Sequence, residues 1–199
     1  MQNVIIEKPY RFVPPCRGTF WVWLFQKFRL YEPHLRNREG VVSHECRHVE
    51  RLRESLAAGH GILLAPNHCR TADPLVLGFL AKEAGTHLYC MASWHLFHQS
   101  WLTAWVIPRM GAFSVNREGI DRQAINTAME ILETAERPLV LFPEGAASRN
   151  NDHLHALLDI SFLARGAAKK RARLSPAGQV VIHPVALKYR FGGDLERQG

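Results

Sequence analysis

Between the apolar run Gly61-Ile-Leu-Leu-Ala-Pro66 and a stretch of helical character that begins near Asp73-Pro74 lies the segment Asn67-His68-Cys-Arg-Thr-Ala-Asp73. A neutral imidazole takes a hydroxyl proton near pH 7, and a nearby carboxylate fixes its tautomer and stabilises the imidazolium that forms. A strand-to-helix turn with four intervening residues lets Asp73 fold back toward His68. The same position also suits Asp73 as a cap of the following helix. His68 and Asp73 are therefore a candidate pair of general base and orienting carboxylate, placed on the kind of loop that carries function.

Other residues compete for a chemical role. His44-Glu45-Cys46-Arg47-His48 fits H-E-x-x-H, in which two histidines one helical turn apart bind zinc. Its flanks are strongly charged, and no third histidine follows at the extended spacing, where Arg51 occupies the glycine position. An exposed pair without metal is the expectation. Cys69 adjoins His68, but sequence neighbours rarely present both side chains to one substrate atom, and no G-x-S-x-G supplies a serine nucleophile. The basic run from Arg165 to Arg173 suits the phosphates of nucleic acid, coenzyme A or lipid headgroups. Helix dipoles alone also favour cations at a helix C-terminus. Trp94, His95, Phe97, His98, Trp101 and Trp105 either line an acyl pocket or belong to the core.

The elements that must position these residues follow from apolar periodicity. Strands are expected at 61–66, 87–92, 112–115, 138–142 and 179–187. Helices are expected at 43–58 (capped by Ser43 and stopped near Gly59 or Gly61), 71–84, 94–106, 121–135 and 153–173. Such alternation predicts an α/β fold with a central, mostly parallel sheet flanked by helices, its sites at the loops after the strands. Residues 1–18, rich in proline, form an irregular lead-in. Residues 20–31, Phe-Trp-Val-Trp-Leu-Phe-Gln-Lys-Phe-Arg-Leu-Tyr, have the aromatic and basic make-up of a helix in a membrane interface, and equally that of a core helix.

The chain has 199 residues, enough for one domain with a sizeable core. We divide it into an N-terminal lead-in with membrane-facing helices (1–58), a catalytic core (59–190) and a C-terminal tail (191–199). A net charge of +7 favours anionic partners. The four cysteines, Cys16, Cys46, Cys69 and Cys90, form no C-x-x-C pair and read as reduced thiols. No run of about 18 apolar residues predicts a spanning helix. Glu7, Lys8, Arg11 and Arg17 interrupt any secretory signal.

Four blocks, taken together, resemble the glycerolipid acyltransferases of the 1-acylglycerol-3-phosphate acyltransferase type. Asn67-His68 to Asp73 is similar to that family's N-H-x4-D block, and Gly111-Ala-Phe-Ser-Val-Asn-Arg117 to its second. Phe142-Pro-Glu-Gly145 is similar to the third and Val181-Ile-His-Pro-Val185 to the fourth. The resemblance implies a His/Asp-assisted attack of an acceptor hydroxyl on an acyl thioester, with no metal, no cofactor and no covalent acyl-enzyme. It implies His68 and Asp73 as catalytic residues and Asn67, Arg117, Glu144 and Gly145 on the substrate side; Arg149, two residues beyond the position 147 where the family has its arginine, is a further substrate-side candidate. Arg117 would hold a phosphate through its planar guanidinium. Where the family continues the third block with Thr-Arg-Ser, this chain has Ala146-Ala147-Ser148.

What the resemblance implies in full is an enzyme of phospholipid biosynthesis. Its donor is acyl-CoA or acyl carrier protein, and its acceptor is a lysolipid such as 1-acylglycerol-3-phosphate. Its partners include an anionic membrane surface and no nucleic acid, and its place is cytoplasmic, peripheral on the inner face of a membrane. The alternative is a non-catalytic lipid-binding or membrane-docking protein on the same fold, a reading that Ala146-Ala147 favours.

Overall fold

The computed structural model describes residues 9–116, 118–145, 147, 160–174 and 178–192. Gly61–Pro66 forms strand β1, and Ile62, Leu63 and Leu64 are at most 2% exposed. A strand buried on both faces belongs inside a parallel sheet. The other strands are β2 (Tyr89–Ser93), β3 (Ala112–Val115), β4 (Leu139–Val140) and β5 (Val180–Val185). All pair in parallel in the order β3-β2-β4-β1-β5, with β1 and β5 in register from Gly61 opposite Val180 to Pro66 opposite Val185. The α/β class read from the alternation of elements is the one observed.

Side chains alternate between the faces of a strand, so Leu63 points to one layer of helices and Ile62 and Leu64 to the other. On the first face Leu63, Tyr89 and Phe113 meet helix α6 (Arg122–Thr134) and helix α7 (Ile160–Leu174). Small residues at that contact, Ala124, Ala128, Ala164 and Ala167, bring the two helices close to each other. On the second face Ile62, Leu64 and Val140 meet α3 (Val49–Ala57) and α4 (Asp73–Ala84). Gly61 has no room for a side chain, since a Cβ there would fall 2.0 Å from the Leu132 carbonyl oxygen at the end of α6.

Several expected boundaries move. The aromatic helix α1 spans only Phe20–Lys27; Arg29 turns the chain with φ +52, and a second helix, α2 (Glu32–Arg38), follows. The helix expected from Ser43 starts instead at Val49. His44 stacks flat on Phe79 with ring centroids 3.8 Å apart, and His48 takes the left-handed conformation at φ +59. His44 and His48 therefore precede the helix, and the one-turn spacing that H-E-x-x-H requires is not formed. The aromatic segment after β2 divides into a 3-10 turn (Trp94–His98) and α5 (Trp101–Arg109). The Ser100/Thr103 capping box starts α5. The part of the last expected helix before Ile160 lies outside the described residues.

The lead-in runs along the sheet edge. Ser114 N–H donates to Val13 O at 3.0 Å, and Val13 N–H donates to Ser114 Oγ at 2.8 Å. The four cysteines are free thiols. No helix among the described residues is long and apolar enough to cross a membrane.

Candidate active site

Because every strand is parallel, the segments that follow β1, β3, β4 and β5 emerge at one end of the sheet. The first and third blocks meet there, beside the segment that follows the fourth. The first block is a loop folded around one carboxylate. Asp73 is the first residue of α4 and 0% exposed, and the residue before it, Ala72, has no polar side chain to cap the helix. The carboxylate points back into the loop instead. Its Oδ2 accepts from Cys69 N–H at 2.7 Å and Arg70 N–H at 2.8 Å, and lies 2.8 Å from His68 Nδ1. Asp73 thus lies against His68, with its carboxylate turned away from the helix that it begins.

A buried charge needs such partners. With Nδ1 directed at a carboxylate, the imidazole carries its proton on Nδ1, and Nε2 becomes the basic nitrogen. The ring lies over Phe142, with centroids 4.3 Å apart at 32°. Phe142 thus gives the His68 ring an apolar floor.

Asn67 is buried, and both ends of its amide are engaged within the chain. Its Nδ2 donates to Leu187 O and toward Cys69 Sγ, both at 3.0 Å, while its Oδ1 accepts from Leu187 N–H at 2.6 Å. Cys69 is 2% exposed and turned under the loop. Glu144, from the third block, accepts from His68 N–H at 3.2 Å through Oε1. Gly145 takes φ +67 where nothing would contact a Cβ, and its N–H closes the turn on Phe142 O at 3.1 Å. Glycine is needed there for backbone conformation.

The second block lies on β3, three strand positions from β1, or about 14 Å. Gly111 opens it at φ +90, where a Cβ would fall 2.5 Å from Leu88 O. Beyond the strand, Asp121 holds the turn, accepting from Asn116 N–H and Ala124 N–H at 3.0 Å each and from the Tyr10 hydroxyl. Arg117 and Arg149 lie outside the described residues.

Tyr189 belongs to the site and was not in the sequence-derived set. Its hydroxyl donates to Asp73 Oδ1, and Arg70 stacks over its ring at 4.4 Å. Burial and the Asp73 carboxylate push its pKa far above that of an ordinary phenol, so it stays a donor. The extended alternation Val185, Leu187, Tyr189 beyond the fourth block was the only sequence signal for it.

The competing motifs resolve locally. Arg171, from the basic run, is buried and donates to the carbonyl oxygens of Glu133 and Gly59, a structural role. Trp94 and Phe97 are core, whereas Trp101 is 81% exposed, so the aromatic segment does not line one pocket.

A loop-borne imidazole backed by a buried carboxylate, at the carboxyl end of a parallel sheet, is an arrangement that can accept a hydroxyl proton. The sequence from residue 45 to 188 matches the acyltransferase family, and the chain belongs to it. It is also similar to a 1-acyl-sn-glycerol-3-phosphate acyltransferase of Streptococcus pneumoniae, with 32% identity over 90 residues. That alignment covers 45% of this chain and 33% of the relative, so the chain matches about a third of that protein's length. No solved structure matches.

Proposed function

We propose that this chain transfers a fatty acyl group from acyl-CoA or acyl carrier protein to the hydroxyl of a lysolipid of the 1-acylglycerol-3-phosphate kind, in phospholipid synthesis. The observation that carries this reading is the 2.8 Å contact between His68 Nδ1 and the buried Asp73 carboxylate, in a chain of the acyltransferase family.

In the proposed step His68 Nε2 takes the proton of the acceptor hydroxyl as its oxygen attacks the thioester carbonyl. The carbon–sulfur bond of the tetrahedral intermediate then breaks, and the imidazolium passes its proton to the leaving thiolate, which departs as the thiol and restores the neutral imidazole. Asp73 stabilises that imidazolium. Such a base is worth roughly 100- to 10,000-fold. A thioester is already activated, so positioning and proton removal divide the work without metal or cofactor. Glu144, Gly145, Arg117 and Arg149 belong to the acceptor side, and Asn67 acts by holding the loop.

The same reading puts the protein on the inner face of a membrane. Trp21 and Trp105 meet edge to face at 5.1 Å, joining α1 to α5. Trp101, one turn before Trp105, and Phe20, beside Trp21, extend this aromatic surface outward, and the Arg109 guanidinium lies 4.1 Å from Trp105. Aromatic rings mixed with cations suit an anionic lipid interface.

The test is a mass-spectrometric screen of lysolipids with a labelled acyl thioester, run on the wild type and His68→Ala. We expect a transferred acyl group with at least one acceptor, reduced at least 100-fold by His68→Ala while the circular dichroism spectrum stays unchanged. Wild-type turnover in His68→Ala would refute the mechanism.

A further inference from the structure

We propose that Tyr189 is a positioning residue, which locks the Asp73 carboxylate in the one rotation that aims Oδ2 at His68. The proposal rests on the acyl-transfer reading for its kinetic arm alone.

A carboxylate has two equivalent oxygens and exchanges them by rotation. Here the two are made different. Oδ2 gathers His68 Nδ1 and the amides of Cys69 and Arg70, all from the loop between β1 and α4. Oδ1 receives the Tyr189 hydroxyl from the segment after β5, 116 residues away in sequence. The Oδ2 contacts come from the loop that the carboxylate organises, whereas the Oδ1 donor comes from a separate element, the segment after β5.

The tyrosine is itself held on both sides. Arg70 covers its ring at 4.4 Å and donates to Glu39 O at 3.3 Å, and two residues earlier Leu187 is bonded through both backbone groups to Asn67. The segment from Leu187 to Tyr189 thus grips both ends of the His68 loop, at Asn67 and at Asp73. Hydrogen bonds to charged groups are the strong ones, so losing this donor loosens the pair without removing the base.

The experiment compares Tyr189→Phe, Asp73→Asn and the double variant in the full chain. With labelled thioester and the acceptor found by screening, Tyr189→Phe is expected to lower kcat roughly tenfold while KM for either substrate stays within about twofold. In the Asp73→Asn background the same substitution should cost clearly less than tenfold, because the carboxylate charge that Tyr189 orients toward His68 is gone. In [15N]histidine-labelled protein, the far-downfield Nδ1–H signal missing from His68→Ala should shift or broaden in Tyr189→Phe. Site-specific 3-fluorotyrosine at 189, which keeps the hydroxyl and the ring, should move it with the fold preserved.

A signal unmoved in both variants overturns the proposal, as does a tenfold loss that simply multiplies in the double variant. If no acceptor is acylated by the wild type, the acyl-transfer reading falls, and the resonance alone decides the role of Tyr189.

Discussion

The backbone amide of His68 donates to the carboxylate of Glu144 at 3.2 Å, tying the loop after β1 to the turn after β4. The other oxygen of Glu144 is buried and has no hydrogen-bond partner among the described residues. Holding the loop needs only an acceptor oxygen, whereas meeting a substrate cation or arginine needs the charge. Glu144→Ala is expected to lower kcat roughly tenfold, and Glu144→Gln to retain most of it. Steady-state kinetics of the two variants check this. A glutamine variant as poor as alanine would mean that the charge itself is used.

Gly61 offers a stability test far from the chemistry. A methyl group there would meet the Leu132 carbonyl at 2.0 Å, and backbone cannot yield as a side-chain tip does. Gly61→Ala should destabilise the fold by about 1–3 kcal/mol through overpacking, read from urea unfolding midpoints.

The surface of α1 and α5 predicts vesicle binding. Trp101 and Leu102 are 81% and 51% exposed, so replacing both with serine should leave the fold intact. Binding to vesicles containing anionic lipid should fall roughly tenfold or more in co-sedimentation. Unchanged binding would exclude α5 from the lipid contact.

The third block predicts headgroup preference. Ala147 stands where the family resemblance implies an arginine, and arginine–phosphate bonds are strong and directional. Ala147→Arg is expected to raise kcat/KM for lysophosphatidic acid relative to acceptors lacking a phosphate. Measuring the same ratio in Arg149→Ala shows whether that arginine already fills the role. A ratio that neither change moves would remove the third block from headgroup reading.

Much of this architecture was legible because its signals are local. The apolar run at 61–66, the Asp73-Pro74 helix start and the spacing of Ala124, Ala128, Ile131 and Leu132 each declare one element, and the elements form as read. What escaped depends on contacts distant in sequence. Nothing near His44 announces its stacking on Phe79, which delays α3, and nothing near Arg29 announces the left-handed turn that divides the N-terminal helix. The candidate site divides the same way. His68 and Asp73 are five apart and could be paired on spacing, whereas Phe142, Leu187 and Tyr189 reach them only through the sheet.

The pairing of β5 beside β1 also sets an order in time. Asn67 waits for Leu187, 120 residues later, and closing so long a loop is slow and entropically costly. A ribosome adding about 5–20 residues per second delivers that partner roughly 6–24 s after the histidine loop has been made. During that interval β1 has an open edge where β5 will lie, and the His68 loop lacks the Leu187 and Tyr189 contacts that hold Asn67 and Asp73. The nascent chain therefore passes through a stage in which it is both prone to edge pairing and short of the contacts that fix the His68 loop from the far side of the sheet. The arrival of one strand ends both conditions.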